Sequence, residues 1–180
     1  MNSTKYWIAL ERVQGIGPAS LKEINNKLSD SGLSISDIFD LSPEEIKSEF
    51  DFNDKVASAF KSSSGFLPAV EEEYMHLIDA GVEVLPFFSK KYPQRLHNVL
   101  GNNIPPFLYL FGNSDVLNSR GAAIIGDSKI SSRGEFIAYN AARELASRNI
   151  NVISGFANGA DLTAHRGALE HGGITTAFVP

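Results

Sequence analysis

The stretch Asn151-Val152-Ile153-Ser154-Gly155-Phe156-Ala157-Asn158-Gly159-Ala160-Asp161-Leu162-Thr163-Ala164-His165-Arg166 decides how the rest of the chain is read. Val152-Ile153 has the apolar character of the end of a buried strand. Ser154-Gly155 and Asn158-Gly159 make a glycine-rich turn, and Leu162, His165, Ala168 and Leu169 follow at helical spacing. Strand, glycine turn and helix together aim unpaired backbone N–H groups and a helix N-terminus at one point. The spacing is not that of the G-x-G-x-x-G dinucleotide fingerprint. The arrangement reads as an anion site, with phosphate the expected ligand.

Working outward, Ala122-Ala123-Ile124-Ile125-Gly126 is a second apolar run, read as a buried parallel strand. It leads into Asp127-Ser128-Lys129-Ile130-Ser131-Ser132-Arg133-Gly134 and then a helix ending near Arg148, with Ser132 and Glu135 as its expected capping box. Neighbouring βα turns of a parallel sheet open on the same edge, so the two turns are expected to share a phosphate pocket. Its candidate contacts are Gly126, Ser128, Lys129, Ser131, Arg133, Gly134, Ser154, Gly155, Asn158 and Gly159. Asp161 and His165 stand four apart on one helix face and admit two readings. They form an acid–base pair, or Asp161 orders the turn and caps the helix with His165 hydrogen-bonded to it. A carboxylate aimed at a phosphate would repel it, which favours the structural reading.

Gly81 to Phe87 and Pro105 to Gly112 supply two further strands, and Thr175 to Val179 a last one. Strands alternating with helices over residues 81–180 predict a parallel α/β sheet. Residues 1–80 read as helical. Tyr6, Ile8, Ala9, Leu10 and Val13 form one apolar face, and Leu21, Ile24 and Leu28 a second. Ser42-Pro43-Glu44-Glu45 is a helix start with a capping box, and Ser62-Ser63-Ser64-Gly65 reads as a loop. Gly15-Ile16-Gly17-Pro18 between two helices has the build of a helix–hairpin–helix turn, for which a structural role is the safer reading.

Composition narrows the function classes. With 43% hydrophobic and 21% charged residues, the 180-residue chain is an ordinary globular protein of one large or two small domains. No run approaches the roughly 18 apolar residues that span a bilayer, no signal-peptide pattern opens the chain, and there is no Cys. A cytoplasmic protein without disulfides or thiolate metal sites is expected. Residues 1–80 hold 7 Lys/Arg against 14 Asp/Glu, while residues 81–180 hold 9 against 7, so an anionic ligand should meet the second half. No zinc pattern, P-loop, nucleophile elbow or paired-carboxylate arrangement is present. No cofactor, metal ligand or catalytic residue is therefore assigned. The run ends at Pro180 with too few crossover helices to cover both sheet faces, which suggests a longer protein or a partner that completes the sheet.

Four pieces together resemble the DNA-processing protein A family of bacterial transformation proteins: the G-I-G-P turn; Tyr92-Pro93-x-x-Leu96 followed by Pro105-Pro106-x-Leu108-Tyr109; Ile125-Gly126 leading to Ser131 and Gly134; and Ser154-Gly155-x-Ala157-x-Gly159-x-Asp161-x-x-Ala164-His165 leading to Gly172-Gly173. The resemblance implies a sterile-alpha-motif-like helical domain over residues 1–80. An extended Rossmann-like domain, here incomplete, is implied over residues 81–180. It also implies a non-enzymatic single-stranded-DNA-binding mediator that protects DNA and helps load the RecA recombinase, a homodimer at full length. Two departures fall in the turns: Ser128 and Asn158 occupy positions where the family usually carries basic residues. The alternative is a nucleotide-binding or nucleotide-hydrolysing Rossmann-like enzyme of the cytokinin-activating, lysine decarboxylase-like type. A third possibility, a protein-interaction role without nucleic acid, would rest on the acidic helical half.

Overall fold

The computed structural model describes residues 3–179; Met1, Asn2 and the terminal Pro180 lie outside them. Contacts divide the chain into two compact units, Met1–Ser114 and Asp115–Pro180. The first contains helices α1 (Thr4–Glu11), α2 (Pro18–Ser31), α3 (Ile35–Phe39), α4 (Pro43–Phe50), α5 (Asp54–Ser64) and α6 (Leu67–Asp79). Strand β1 (Val82–Pro86), helix α7 (Gln94–Leu100) and strand β2 (Phe107–Phe111) complete it. The expected apolar faces meet inside: Leu10, Leu21, Ile24, Ile38, Ile46, Val56, Phe60 and Val70 are each 2% exposed or less. Phe39 bridges Tyr6 and Phe60 with ring centroids 4.9 and 5.5 Å away.

Helix starts follow the predicted chemistry at Ser42, whose Oγ accepts from the Glu45 N–H at 3.2 Å while Glu45 Oε2 accepts from the Ser42 N–H at 2.8 Å. The serine run behaves differently from expectation. Ser62, Ser63 and Ser64 continue α5 instead of forming a loop, and their hydroxyls donate back to the carbonyls of Ser58 and Phe60 at 2.8–3.1 Å, so no side-chain polar group is left to compete with the helical backbone. In the hairpin, Gly15 has φ +86°, and the Lys55 side chain lies where a Cβ would stand.

The expectation that all strands of the second half join one parallel sheet is corrected by β1 and β2. They pair with each other, antiparallel, with Val82 opposite Phe111 and Pro86 opposite Phe107. The intervening α7 buries no residue, so it does not cover a sheet as a crossover helix does. Tyr92 closes this connection: it is fully buried, and its hydroxyl donates to the Pro105 carbonyl at 2.7 Å.

The second unit is a parallel βαβαβ arrangement of Rossmann-like type. Strands β3 (Gly121–Ala123), β4 (Asn151–Ser154) and β5 (Thr175–Ala177) lie in the order β3-β4-β5, connected by α8 (Ser132–Ser147) and α9 (Ala160–Leu169). Right-handed crossovers that advance across a sheet in one direction put both helices on one face. Accordingly Ala142, Ala146, Ala164 and Ala168 meet Val152 in a single cluster, with Ile124 packed against it. Ile125, read as part of a fully buried run, is instead 85% exposed. Side chains alternate along a strand, so the neighbour of an inward Ile124 points to the face without these helices.

Contact between α8 and α9 depends on small residues. A Cβ at Gly167 would stand 2.5 Å from the Tyr139 carbonyl oxygen, a backbone atom that cannot rotate away. Alanine is the better helix former by about 1 kcal/mol, whereas overpacking costs roughly 1–3 kcal/mol. Because the clash is with backbone, the cost falls in the upper part of that range, about 2–3 kcal/mol, and Gly167→Ala should lower stability by about 1–2 kcal/mol net of the propensity gain. Urea unfolding followed by far-UV circular dichroism reads this, since the single Trp7 belongs to the other unit. An unchanged or raised midpoint would contradict the packing argument.

Candidate phosphate-binding turns

Both βα turns emerge from the carboxyl ends of parallel strands, and they are tied together. Gly159 takes φ +80°, and a Cβ there would lie 2.5 and 2.6 Å from the carbonyl oxygens of Asp127 and Ser128. Only glycine permits that conformation at that distance. The Ala160 N–H donates across to the Asp127 carbonyl at 3.1 Å. Gly126 sits against α9, with Ala160 Cβ 2.6 Å from where its own Cβ would be.

The second turn is held from within by α9. Asp161 is buried; its Oδ2 accepts from the Ala157 N–H at 3.3 Å, and its Oδ1 faces the Ser154 hydroxyl at 3.0 Å. Ser154 also reaches the Ile124 carbonyl at 2.6 Å, so its one proton is shared between two inward acceptors. Gly155 leaves room for this carboxylate, which would lie 2.5 Å from a Cβ. His165 is not bonded to Asp161, as the structural reading supposed. Its Nε2 donates to the Gly155 carbonyl at 2.7 Å, and its Nδ1 is 2.6 Å from Thr175 Oγ1. One turn of helix separates Asp161 from His165 along the axis, and each finds a different part of the loop. The cap residue of α9 is Gly159, which lacks a side chain, so Asp161 orders the turn from the first helical turn without capping it.

The first turn keeps more donors facing outward. Its cap is Ser131 rather than the expected Ser132: Ser131 has extended backbone and accepts from the Gly134 N–H at 3.2 Å. Gly134 packs against Ile130, 3.2 Å from a would-be Cβ. A capping oxygen accepts, so the Ser131 O–H remains able to donate. The Gly134 and Glu135 amides are taken by Ser131, which leaves those of Ser132 and Arg133 as the orphan donors of the α8 N-terminus. Lys129 and Arg133 are exposed, and among the described residues neither enters an ion pair. Asp127 was overlooked in the sequence. Its Oδ1 accepts from the Lys129 N–H at 3.1 Å and lies 3.4 Å from Ser128 Oγ, which fixes the loop but places a carboxylate within it. The Gly-Asp-Ser sequence is a signal for such a side-chain-to-backbone turn.

The two turns thus meet through Gly126 against Ala160 and Gly159 against Asp127 and Ser128; Lys129, Ser131, Arg133 and Gly134 lie further along the first turn and Gly155 and Asn158 within the second, whereas the Ser154 hydroxyl faces the interior. Arg166 stands apart, over the Tyr139 ring at 5.5 Å. Between Asp115 and Pro180 there are six Lys/Arg and six Asp/Glu, so any attraction for an anion is local rather than a field of the whole unit. Among the described residues no three His, Cys, Asp or Glu are grouped to hold a metal ion, and no helix is long and apolar enough to cross a membrane.

The family model described as DNA recombination-mediator protein A matches residues 83–180. Protein Smf of Borreliella burgdorferi is 29% identical over 165 residues, covering 91% of this chain and 48% of that protein. Protein Smf of Escherichia coli is 32% identical over 119 residues, 66% of this chain and 29% of that protein. The X-ray structure of DNA processing protein A from Streptococcus pneumoniae superposes with a TM-score of 0.67 at 20% identity, over 99% of this chain and 58% of that one. The chain spans about half the length of the first of these relatives.

The Asp161 network makes a graded prediction. Asp161→Ala strands the Ala157 N–H and should cost about 1–3 kcal/mol. Asp161→Asn should cost less. Its amide oxygen can accept from Ala157 and its NH2 can donate to Ser154, whose proton then goes wholly to Ile124. Urea midpoints for the two variants measure the difference, and an Asn variant as damaged as the Ala variant would show that charge, not hydrogen-bond pattern, holds the turn.

Proposed function

This chain belongs to the DNA recombination-mediator protein A family, and from that premise we propose that it binds single-stranded DNA through its two coupled βα turns. Phosphates lie at the first turn, on the amides of Ser132 and Arg133, the Ser131 hydroxyl and the Lys129 ammonium. Asn158, Gly159, Gly155, Gly126, Gly134 and Ser128 shape and line the adjoining surface. The observation that carries this reading is the open N-terminus of α8, flanked by Lys129 and Arg133, which enter no ion pair among the described residues, at the end of a turn joined to the second by the Asp127–Ala160 hydrogen bond at 3.1 Å. Backbone donors and point charges read no bases, so recognition is tolerant of sequence and sensitive to salt.

In this reading the bound strand is protected and passed to the RecA recombinase in the cytoplasm, during DNA processing and natural transformation. Homodimerisation is proposed for a longer member of the family and not for this chain. The protein acts as a binding mediator rather than an enzyme. An acid–base role for Asp161 and His165 draws no support from their geometry, since both are buried and bonded to the turn they hold.

Lys129 supplies the test. A lysine ammonium holds phosphate as a point charge without fixing its orientation. Lys129→Ala should weaken binding of oligo-dT and of mixed-sequence oligomers equally. It should also reduce the slope of log affinity against log salt by about 0.7, one single-strand phosphate contact. Arg133→Ala should do less, since its side chain leaves from the first helical turn. Fluorescence anisotropy across a salt series measures both. Wild-type protein without salt-dependent affinity for oligo-dT would remove the proposal, and an unchanged slope for Lys129→Ala would confine the contact to backbone donors.

A further inference from the structure

Phe156 lies at the crest of the second turn with 62% of its surface exposed. Its neighbours in the chain are both pinned from below. The Gly155 carbonyl accepts from His165 Nε2 at 2.7 Å, and the Ala157 N–H donates to Asp161 Oδ2 at 3.3 Å. The Phe156 ring lies 6.2 Å from the His165 ring, centroid to centroid, and tilted by 51° to it. That contact leaves most of the ring in solvent. An aromatic side chain is thus displayed on a fixed backbone, with its orientation set by buried polar groups and not by a core.

Strand register places two more exposed apolar residues level with the start of this turn. Ala123 pairs with Ile153 and Ser154 with Ala177, so continuing the strands sets Ile125 and Phe178 level with Gly155 on either side. The Phe178 N–H donates to the Ser154 carbonyl at 2.9 Å, which extends the pairing. Ile125 is 85% and Phe178 59% exposed. Both share the parity of Ile153 and so lie on the sheet face without α8 and α9, whereas Phe156 lies against His165 of α9; the exposed ring of Phe156 is thus the aromatic beside the turns proposed to hold phosphate. A polyanion with flat apolar faces matches this juxtaposition: its backbone meets the donors and cations, and a base meets the exposed ring.

We propose that Phe156 is a stacking platform for a base of the bound single strand. The inference rests on the DNA-binding reading above. Every base offers a π-face, so the platform adds affinity without adding sequence preference.

Labelled oligo-dT and an abasic oligomer of equal length separate phosphate contacts from base contacts. Phe156→Ala should weaken oligo-dT binding about 5- to 150-fold, the range for loss of one base–aromatic stack. Its salt slope and its affinity for the abasic oligomer should stay at wild-type values. Phe156→Trp should retain affinity, and oligo-dT should quench its fluorescence relative to wild type, whose only Trp is the buried Trp7. Wild-type affinity of Phe156→Ala for oligo-dT overturns the platform while leaving phosphate binding standing. Equal losses on both oligomers also overturn it, since they would mean that Phe156 only supports the turn. Failure of the wild-type chain to bind either oligomer removes this inference together with the reading on which it rests.

Discussion

The buried carboxylate of Asp161 is the constraint on which the candidate site depends. It accepts a backbone N–H from the turn and faces a strand hydroxyl, so one side chain on α9 fixes both the end of β4 and the loop that follows. A glycine-rich loop has high conformational entropy when free. Without an internal acceptor it would sample many arrangements, and an anion would have to order it on binding. Here the ordering is built into the fold. His165 completes it one helical turn later, joining the Gly155 carbonyl to Thr175 on β5. Strands β4 and β5 and the second turn are thereby connected through two buried polar side chains with satisfied partners, the condition under which buried polarity is tolerated.

That polar centre requires close approach of the surrounding backbone, which explains the composition of the second unit. The helix pair α8–α9 meets through alanines and Gly167, and Gly173 lies so near Ala146 that a Cβ there would be 2.4 Å from its neighbour. Such a core contributes less hydrophobic stabilisation per residue than the aromatic and leucine-rich interior of the helical unit. Its virtue is position: it sets α9 where Asp161 and His165 reach the loop, and it brings the α8 N-terminus beside the second turn.

Much of this was legible in the sequence, for identifiable reasons. The parallel unit followed from strand–glycine–helix spacing in residues 122–179, and the capped start at Ser42 from its capping box. What was not legible depended on through-space partners. Pairing of β1 with β2 goes with an α7 that buries no residue, although Leu96, Val99 and Leu100 stand at helical spacing in the sequence. Ser131 and Ser132 are equally good caps by type, and only backbone conformation distinguishes them. The partner of His165 could not be read from its spacing to Asp161, since Thr175 lies ten residues onward on another strand. Phe156 was hidden by its company, a lone aromatic among small turn residues that resembles a stray core side chain until its exposure is known. Asp127 and the inward-facing Ser154 together shift the outward donors toward the first turn, a balance that counting serines and glycines does not give.

The proposed anion site lies at the N-terminus of α8, on a turn joined to a second turn that is itself held by Asp161. Amide 1H–15N correlation spectra recorded during titration with oligo-dT test this most directly. The amides of Lys129, Ser131, Ser132 and Arg133 should shift first and furthest, with Asn158 and Gly159 following, while those of Asp161 and His165 stay nearly fixed. Shifts confined to the helical unit, such as the Gly15–Gly17 hairpin, would contradict it.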